Sequence, residues 1–346
     1  MIFTTTGHFE WAAKRYVPEQ PEPRSGLLQH CDWGAKQQAG AVIAVERFES
    51  ATRYKASPTV SNITNFRKSR RLTPIASATM KSLLFTCTLS LFSTLVGGAT
   101  FSNPLRTVNG SDPFLVYVDG YYYLMTTTWR NVQIVRAKTL EGLKTGEAKT
   151  IYTMSNPKPE GNDVWAPELH KINGTWYVYF SEDRKSWVLT GGSEPWGPYD
   201  DNKKQVHREW GIDGTIVDIQ GHGDYFVWSC TTPDELQSLC IAKLLTPTSI
   251  GPFSTLSQPT EPWERVEIPV NEGPVGLYHG NKTWIAYAAS FCKTPDYAVG
   301  TLLWDGHNDP LKATSWTKSG GAVFSSANGN YGVGHNGCVT PHFLLL

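Results

Sequence analysis

The sequence has no surplus of charge of either sign. It sets 31 Lys and Arg against 31 Asp and Glu, for a formal net charge of zero over 346 residues. Nothing global therefore points to a nucleic-acid backbone as partner. No glycine-rich phosphate loop precedes a helix, and there is neither a Gly-x-Ser-x-Gly elbow nor a His-Glu-x-x-His pair, so nucleotide, serine-hydrolase and zincin chemistries find no support. Cysteine is scarce, and no pair among Cys230, Cys240, Cys292 and Cys338 has metal-ligand spacing; a zinc site is not expected. The apolar stretch from Leu83 to Val96 is too short and too rich in Ser and Thr to prefer spanning a bilayer.

What is present is aromatic: 13 Trp, 15 Tyr and 14 Phe, beside 31 Gly and 22 Pro. Aromatic residues favour half-buried strands, and Gly and Pro punctuate turns. An all-β chain of many short strands is expected. Charge divides the chain unevenly. Residues 1–79 carry 11 Lys and Arg against 6 Asp and Glu, whereas residues 100–346 carry 19 against 25.

That break coincides with Met80-Lys81, the following apolar stretch and Gly97-Gly98-Ala99. A basic start, an apolar core and a small-residue cleavage site make up a secretory signal peptide. Residues 80–99 are read as that signal, 1–79 as a non-native or disordered upstream extension, and 100–346 as the folded, secreted part. The alternatives for 80–99 are an internal core helix or a membrane anchor. The basic cluster Arg67-Lys68-Ser69-Arg70-Arg71 has no periodic surroundings and reads as part of the unstructured extension. In a secreted chain Cys230 and Cys240, flanking a turn, form a disulfide or remain as unpaired buried cysteines. Asn109, Asn173 and Asn281 head glycosylation sequons in turn contexts.

From residue 110 one theme recurs. Asp112-Pro113-Phe114 opens a strand, an Asp119-Gly120 turn and a second strand; Ala166-Pro167-Glu168 does so through Asn173-Gly174. Asp213-Gly214-Thr215 and Glu272-Gly273-Pro274 open the third and fourth copies. Asp-Gly and Asn-Gly between alternating apolar runs mark tight hairpins, because type I′ turns need positive φ. Further strand-like runs follow at Val132–Ala137, Trp187–Thr190, Cys240–Leu245 and Ala298–Trp304. Four strands per unit at regular intervals describe propeller blades, although a sandwich also has many hairpins. In a propeller the first strand of each blade lines the axis, so Asp112, Glu168, Asp213 and Glu272 can converge. Glycosidic bond hydrolysis needs such a set: one acid to protonate the leaving oxygen and one carboxylate to activate water or attack carbon. Singly, Asp before Pro or Gly is more often a turn-former than a catalyst.

Ser111-Asp112-Pro113, Trp165-Ala166-Pro167-Glu168, Ile212-Asp213-Gly214-Thr215, Glu272-Gly273-Pro274 and Gly334-His335-Asn336 together resemble the blade-opening motifs of glycoside hydrolase family 43. The resemblance covers about residues 103 to 340 and implies a five-bladed β-propeller acting with inversion on arabinan, arabinoxylan or xylan. It implies Asp112 as general base, Glu272 as general acid, and Asp213 as the charge that raises and orients the acid. Trp129, Trp165 and Phe291 are expected to stack on sugar rings and Glu168 to line the substrate site. His335 matches the family's axial histidine, near a central water or a structural cation; no cofactor is required. The chain ends with Cys338–Leu346 where a complete member continues, so the fifth blade is expected to be truncated and the chain poorly stable or inactive. The leading expectation is a secreted, monomeric exo-α-L-arabinofuranosidase acting on plant cell-wall polysaccharide or oligosaccharide, without membrane or nucleic-acid partners. Endo-arabinanase, β-xylosidase and an inactive carbohydrate-binding propeller are the alternatives.

Overall fold

The structure is a computed structural model that describes residues 42–43, 101–155 and 164–338. The expectations for 1–79, apart from the pair 42–43, and for the signal at 80–99 lie outside the described residues. Val42–Ile43 (β1) pairs in parallel with Gly337–Cys338 (β18). Among the described residues, the strands between them pair antiparallel in four sheets of four strands.

The first sheet runs Phe114–Val118 (β2), Tyr121–Met125 (β3), Asn131–Ala137 (β4) and Glu147–Thr153 (β5). The second runs Val164–Ile172 (β6), Thr175–Glu182 (β7), Lys185–Thr190 (β8) and Lys204–Gln205 (β9). The third comprises Gly211–Ile219 (β10), Gly223–Thr231 (β11), Gln237–Thr246 (β12) and Ser249–Ser257 (β13). The fourth comprises Asn271–His279 (β14), Lys282–Ala289 (β15), Ala298–Trp304 (β16) and Trp316–Lys318 (β17). Strand order follows chain order in every sheet, as expected of meandering blades. The inner strands neighbour one another in sequence, β2 on β6, β6 on β10 and β10 on β14, and β18 lies against both β14 and β2.

Turn chemistry explains the hairpins. Asp119 and Gly120 have φ of 50° and 79°, and Asn173 and Gly174 have 49° and 85°, the paired positive values of a type I′ turn. The β7–β8 turn uses Asp183 and Arg184 at φ 57° and 58°, with no glycine to announce it. Burial is spread between blades. Val217, Tyr225, Ile241, Tyr287 and Leu302 join the third and fourth sheets, and Tyr179, Val188, Phe226 and Trp228 join the second and third. Each large apolar side chain so buried contributes roughly 1.5–3 kcal/mol. Cys230 and Cys240 form a disulfide across β11 and β12, which resolves the open pairing, and Cys292 is disulfide-bonded as well. Among the described residues no helix is long and apolar enough to cross a membrane.

Candidate active site

Every inner strand starts with the same backbone device. The pairing of β6 with β7 skips from Trp165 to Glu168, that of β10 with β11 from Ile212 to Thr215, and that of β14 with β15 from Glu272 to Val275. In the first blade, Thr127 N–H bonds Ser111 O at 3.0 Å and the ladder resumes at Phe114. Two residues bulge out each time, and the first of the two is left-handed: Asp112 at φ 54°, Ala166 at 43°, Asp213 at 57° and Gly273 at 53°. His335, just before β18, has φ 37°. A bulge re-aims the side chains beside it, and short polar residues or glycine tolerate the left-handed region best.

Glu272 does not occupy the position of Asp112 and Asp213; it stands one residue earlier, because Gly273 takes the left-handed place. Glycine is needed there twice over: its φ is +53°, and a Cβ on it would sit 2.9 Å from His335 Cγ. The Gly273 main-chain N–H donates to Asp213 Oδ2 at 3.1 Å. Gly214 is a different case. Its φ is not positive, but a Cβ would meet Phe226 Cζ at 2.2 Å. The Asp213-Gly214 pair is therefore a bulge closed against a ring, not a reverse turn.

The bulges bring Asp112, Asp213 and His335 together. His335 Nδ1 lies 3.2 Å from Asp112 Oδ1 and 3.8 Å from Asp213 Oδ2, with the imidazole against Gly273. Thr127 donates its hydroxyl to Asp112 Oδ2 and accepts the Ala166 N–H at 2.8 Å, linking the first two blades. Ser181 plays the second part for the next blade, accepting the Asp213 N–H at 2.9 Å. Glu272 is 6 % exposed and accepts from Gln237 Nε2 and Tyr297 OH, both at 2.8 Å.

Electrostatics follow from crowding. Burial pushes Asp213 up to about 7, against the pull of His335 and with the added repulsion of Glu272 and Asp112. Burial also pushes Glu272 up; Tyr297, His335 and Gln237 counter it, and Asp112 adds to it. Burial draws His335 down, but Asp112, Asp213, Glu272 and Glu168 together outweigh it, and the net direction is upward. Like charges in a buried site titrate as a set, so ionising one member raises the others. The arrangement can hold one carboxyl protonated beside an ionised one.

The remaining expected residues are dispersed around this centre. Glu168 is buried two positions past the left-handed Ala166, and its Oε2 lies 2.7 Å from His170 Nε2. Trp129 is half-buried, its backbone held at φ 73° by bonds in both directions to Val164; a bulky residue in that region is strained. Trp165 is half-buried, with the Arg184 guanidinium 5.7 Å from its ring centre. Phe291 is half-buried beyond the left-handed Ser290. As to a cation at His335, among the described residues no group of three or more His, Cys, Asp or Glu is arranged to hold a metal ion. The imidazole instead meets carboxylates. Sequence reading missed Thr127, Ser181, Gln237 and Tyr297. Thr127 falls within the Thr126-Thr127-Thr128-Trp129 run; the others have no local signature.

The family description "Glycosyl hydrolases family 43" matches residues 101–342. The chain belongs to glycosyl hydrolase family 43. An "Extracellular exo-alpha-(1->5)-L-arabinofuranosidase" of Streptomyces avermitilis is 37% identical, over 68% of this chain and 53% of that protein. "Alpha-L-arabinofuranosidase B" of Pyricularia oryzae is 30% identical, over 68% of this chain and 52% of its own length. The family 43 chain thus spans about half the length of these two relatives. A solved structure of an alpha-L-arabinofuranosidase from Lactobacillus brevis superposes with a TM-score of 0.57 at 29% identity, covering 65% of this chain and 77% of that one.

Proposed function

We propose that this protein is an exo-acting α-L-arabinofuranosidase that releases arabinofuranose from arabinan or arabinoxylan with inversion. The observation that carries the reading is the gathering of Asp112, Asp213 and His335 around Gly273, with Glu272 the adjoining, buried and upward-shifted carboxyl. Asp112 is assigned as general base. It takes a proton from water as the water oxygen attacks the anomeric carbon, while Glu272 gives its proton to the departing glycosidic oxygen. Asp112 ends protonated and Glu272 ionised, and solvent resets both. An inverting pair must stand roughly 6.5–9.5 Å apart to admit that water. Asp213 anchors the Gly273 N–H that follows the acid, and where it is ionised its charge disfavours ionisation of Glu272. The half-buried Trp129, Trp165 and Phe291 supply sugar-stacking faces. The relatives at 37% and 32% identity bear exo-arabinofuranosidase names, whereas the endo-arabinanase of Aspergillus niger is 22% identical; the exo reading is preferred on that ground.

We also infer that the segment from His335 to Cys338 opens a fifth blade. Support comes from the left-handed His335 at the place of the other bulges and from β18 lying between β14 and β2. Secretion is inferred from the basic–apolar–small pattern at residues 80–99 and from relatives named extracellular.

The test is hydrolysis of a nitrophenyl α-L-arabinofuranoside beside a nitrophenyl β-xyloside, with the anomer of the product followed by NMR. Wild type should turn over the arabinoside with inversion; Asp112→Asn should lose about 10²-fold or more, and Glu272→Gln should lose as much on an unactivated arabino-oligosaccharide and less on the nitrophenyl substrate. Preference for the xyloside, or a retained anomer, would reject the assignment. Sugar binding without turnover in wild type would indicate a carbohydrate-binding propeller.

A further inference from the structure

Two side chains outside the carboxylate cluster end on Glu272, one on each oxygen. Tyr297 donates its hydroxyl to Oε1 at 2.8 Å, and Gln237 donates from Nε2 to Oε2 at 2.8 Å. Tyr297 is 4 % exposed and immediately precedes β16, in the blade of Glu272 itself; Gln237 begins β12, in the blade before.

Each is separately fixed. The Gln237 amide also lies 3.1 Å from Ser229 Oγ, which donates to Asn271 O at 3.0 Å. Its backbone bridges to Val270, so Gln237 is pinned across the third and fourth blades. The Cys230–Cys240 disulfide ties together the two strands whose turn presents it. Tyr297 packs its ring on Gly334: a Cβ there would stand 2.4 Å from both Cδ1 and Cε1. Gly334 has no positive φ, so the glycine before His335 is required for space.

We propose that Tyr297 and Gln237 form a two-point clamp that sets the orientation and proton affinity of Glu272, and that Gly334 is the seat of the Tyr297 ring. The clamp rests on Glu272 being the general acid. Donors to both oxygens favour the ionised carboxylate and so offset part of the effect of burial. The Tyr297 hydroxyl can also accept, whereas the Gln237 amide nitrogen only donates. Glu272 therefore keeps a partner on Oε1 in either protonation state and is held to one rotamer through the catalytic cycle. Both are positioning residues, acting through Glu272 and not on the sugar.

Full-length Tyr297→Phe and Gln237→Leu test the clamp on a nitrophenyl α-L-arabinofuranoside and on an unactivated arabino-oligosaccharide. The acid must be protonated to work, so activity is lost as pH rises through its pKa. Removing a donor raises that pKa, and the alkaline limb of kcat/KM should move up by about one pH unit in each variant. kcat should fall about tenfold on the oligosaccharide and less on the nitrophenyl substrate, whose leaving group needs little protonation. Gly334→Ala should move the limb as Tyr297→Phe does and add no further movement in the Phe background. An unmoved limb in both single variants, or equal kcat losses on the two substrates, would overturn the clamp. An added shift from Gly334→Ala in the Phe background would remove Gly334 from it. If Glu272→Gln hydrolyses the oligosaccharide at the wild-type rate, it is the acid assignment that fails. If Glu272→Gln is inactive while the limb stays in place, the clamp alone fails.

Discussion

Asp213→Asn should make the protein more stable at alkaline pH while lowering its activity there. Asp213 is 6 % exposed and shares its surroundings with Asp112 and Glu272. Burial and those charges lift its carboxyl from the ordinary 3.8 to about 7, even with His335 opposing. Between those two values the folded state binds a proton that the unfolded state has released. Stability contributed by this group is thus fully present below about pH 4 and is lost as pH rises through about 7. Carried to alkaline pH, the loss is on the order of 4 kcal/mol. Asparagine mimics the neutral acid, can still accept the Gly273 N–H through its carbonyl, and never ionises. Urea unfolding of wild type and Asp213→Asn at about pH 4, 6 and 8 should show curves that coincide at the lowest pH and separate progressively above it. A variant less stable than wild type at pH 8, or an offset independent of pH, would refute the reasoning.

Three further perturbations probe the frame. Gly214→Ala would place a methyl 2.2 Å from the Cζ of Phe226, a ring 0 % exposed and stacked on Trp228; it should cost about 1–3 kcal/mol in urea unfolding, and Phe226→Leu in the same chain should restore part of it. Gly273→Ala combines φ +53° with contact at His335, so turnover should fall much more than the thermal midpoint does. Replacing Cys230 and Cys240 by alanine opens a short loop, with a sequence separation of 10, and should cost roughly 2–3 kcal/mol by the chain-entropy estimate. The clamp predicts in addition that this double variant moves the alkaline limb in the direction of Gln237→Leu, seen in the same pH profiles.

The blades were legible because their information is local. Asp119-Gly120 and Asn173-Gly174 specify turns by their own φ preferences, and the alternating apolar runs on either side specify the strands; β16 falls at Ala298–Trp304, as the run itself predicts. The β7–β8 turn at Asp183 and Arg184 was less legible, since Arg has no intrinsic preference for its φ of 58° and is held there by the strands around it. The site divides in the same way. Asp112, Asp213, Glu272 and His335 each stand beside a Pro, Gly or Asn that marks a blade opening, so the motifs exposed them. Gln237 and Tyr297 carry no such mark, because their roles depend on which blade lies next to which.

From sequence alone came the repeat, the acidic blade openings and the family resemblance, since turn chemistry and strand alternation act over a few residues. Only the tertiary structure decided that Gly273 takes the left-handed place and sets Glu272 one residue before it. The same holds for Gly214 and Gly334, which are glycine for the sake of the Phe226 and Tyr297 rings. It also decided that His335 is shared between Asp112 and Asp213. Those facts are distances between segments far apart in the chain, set by the packing of one blade on the next. No local preference encodes them.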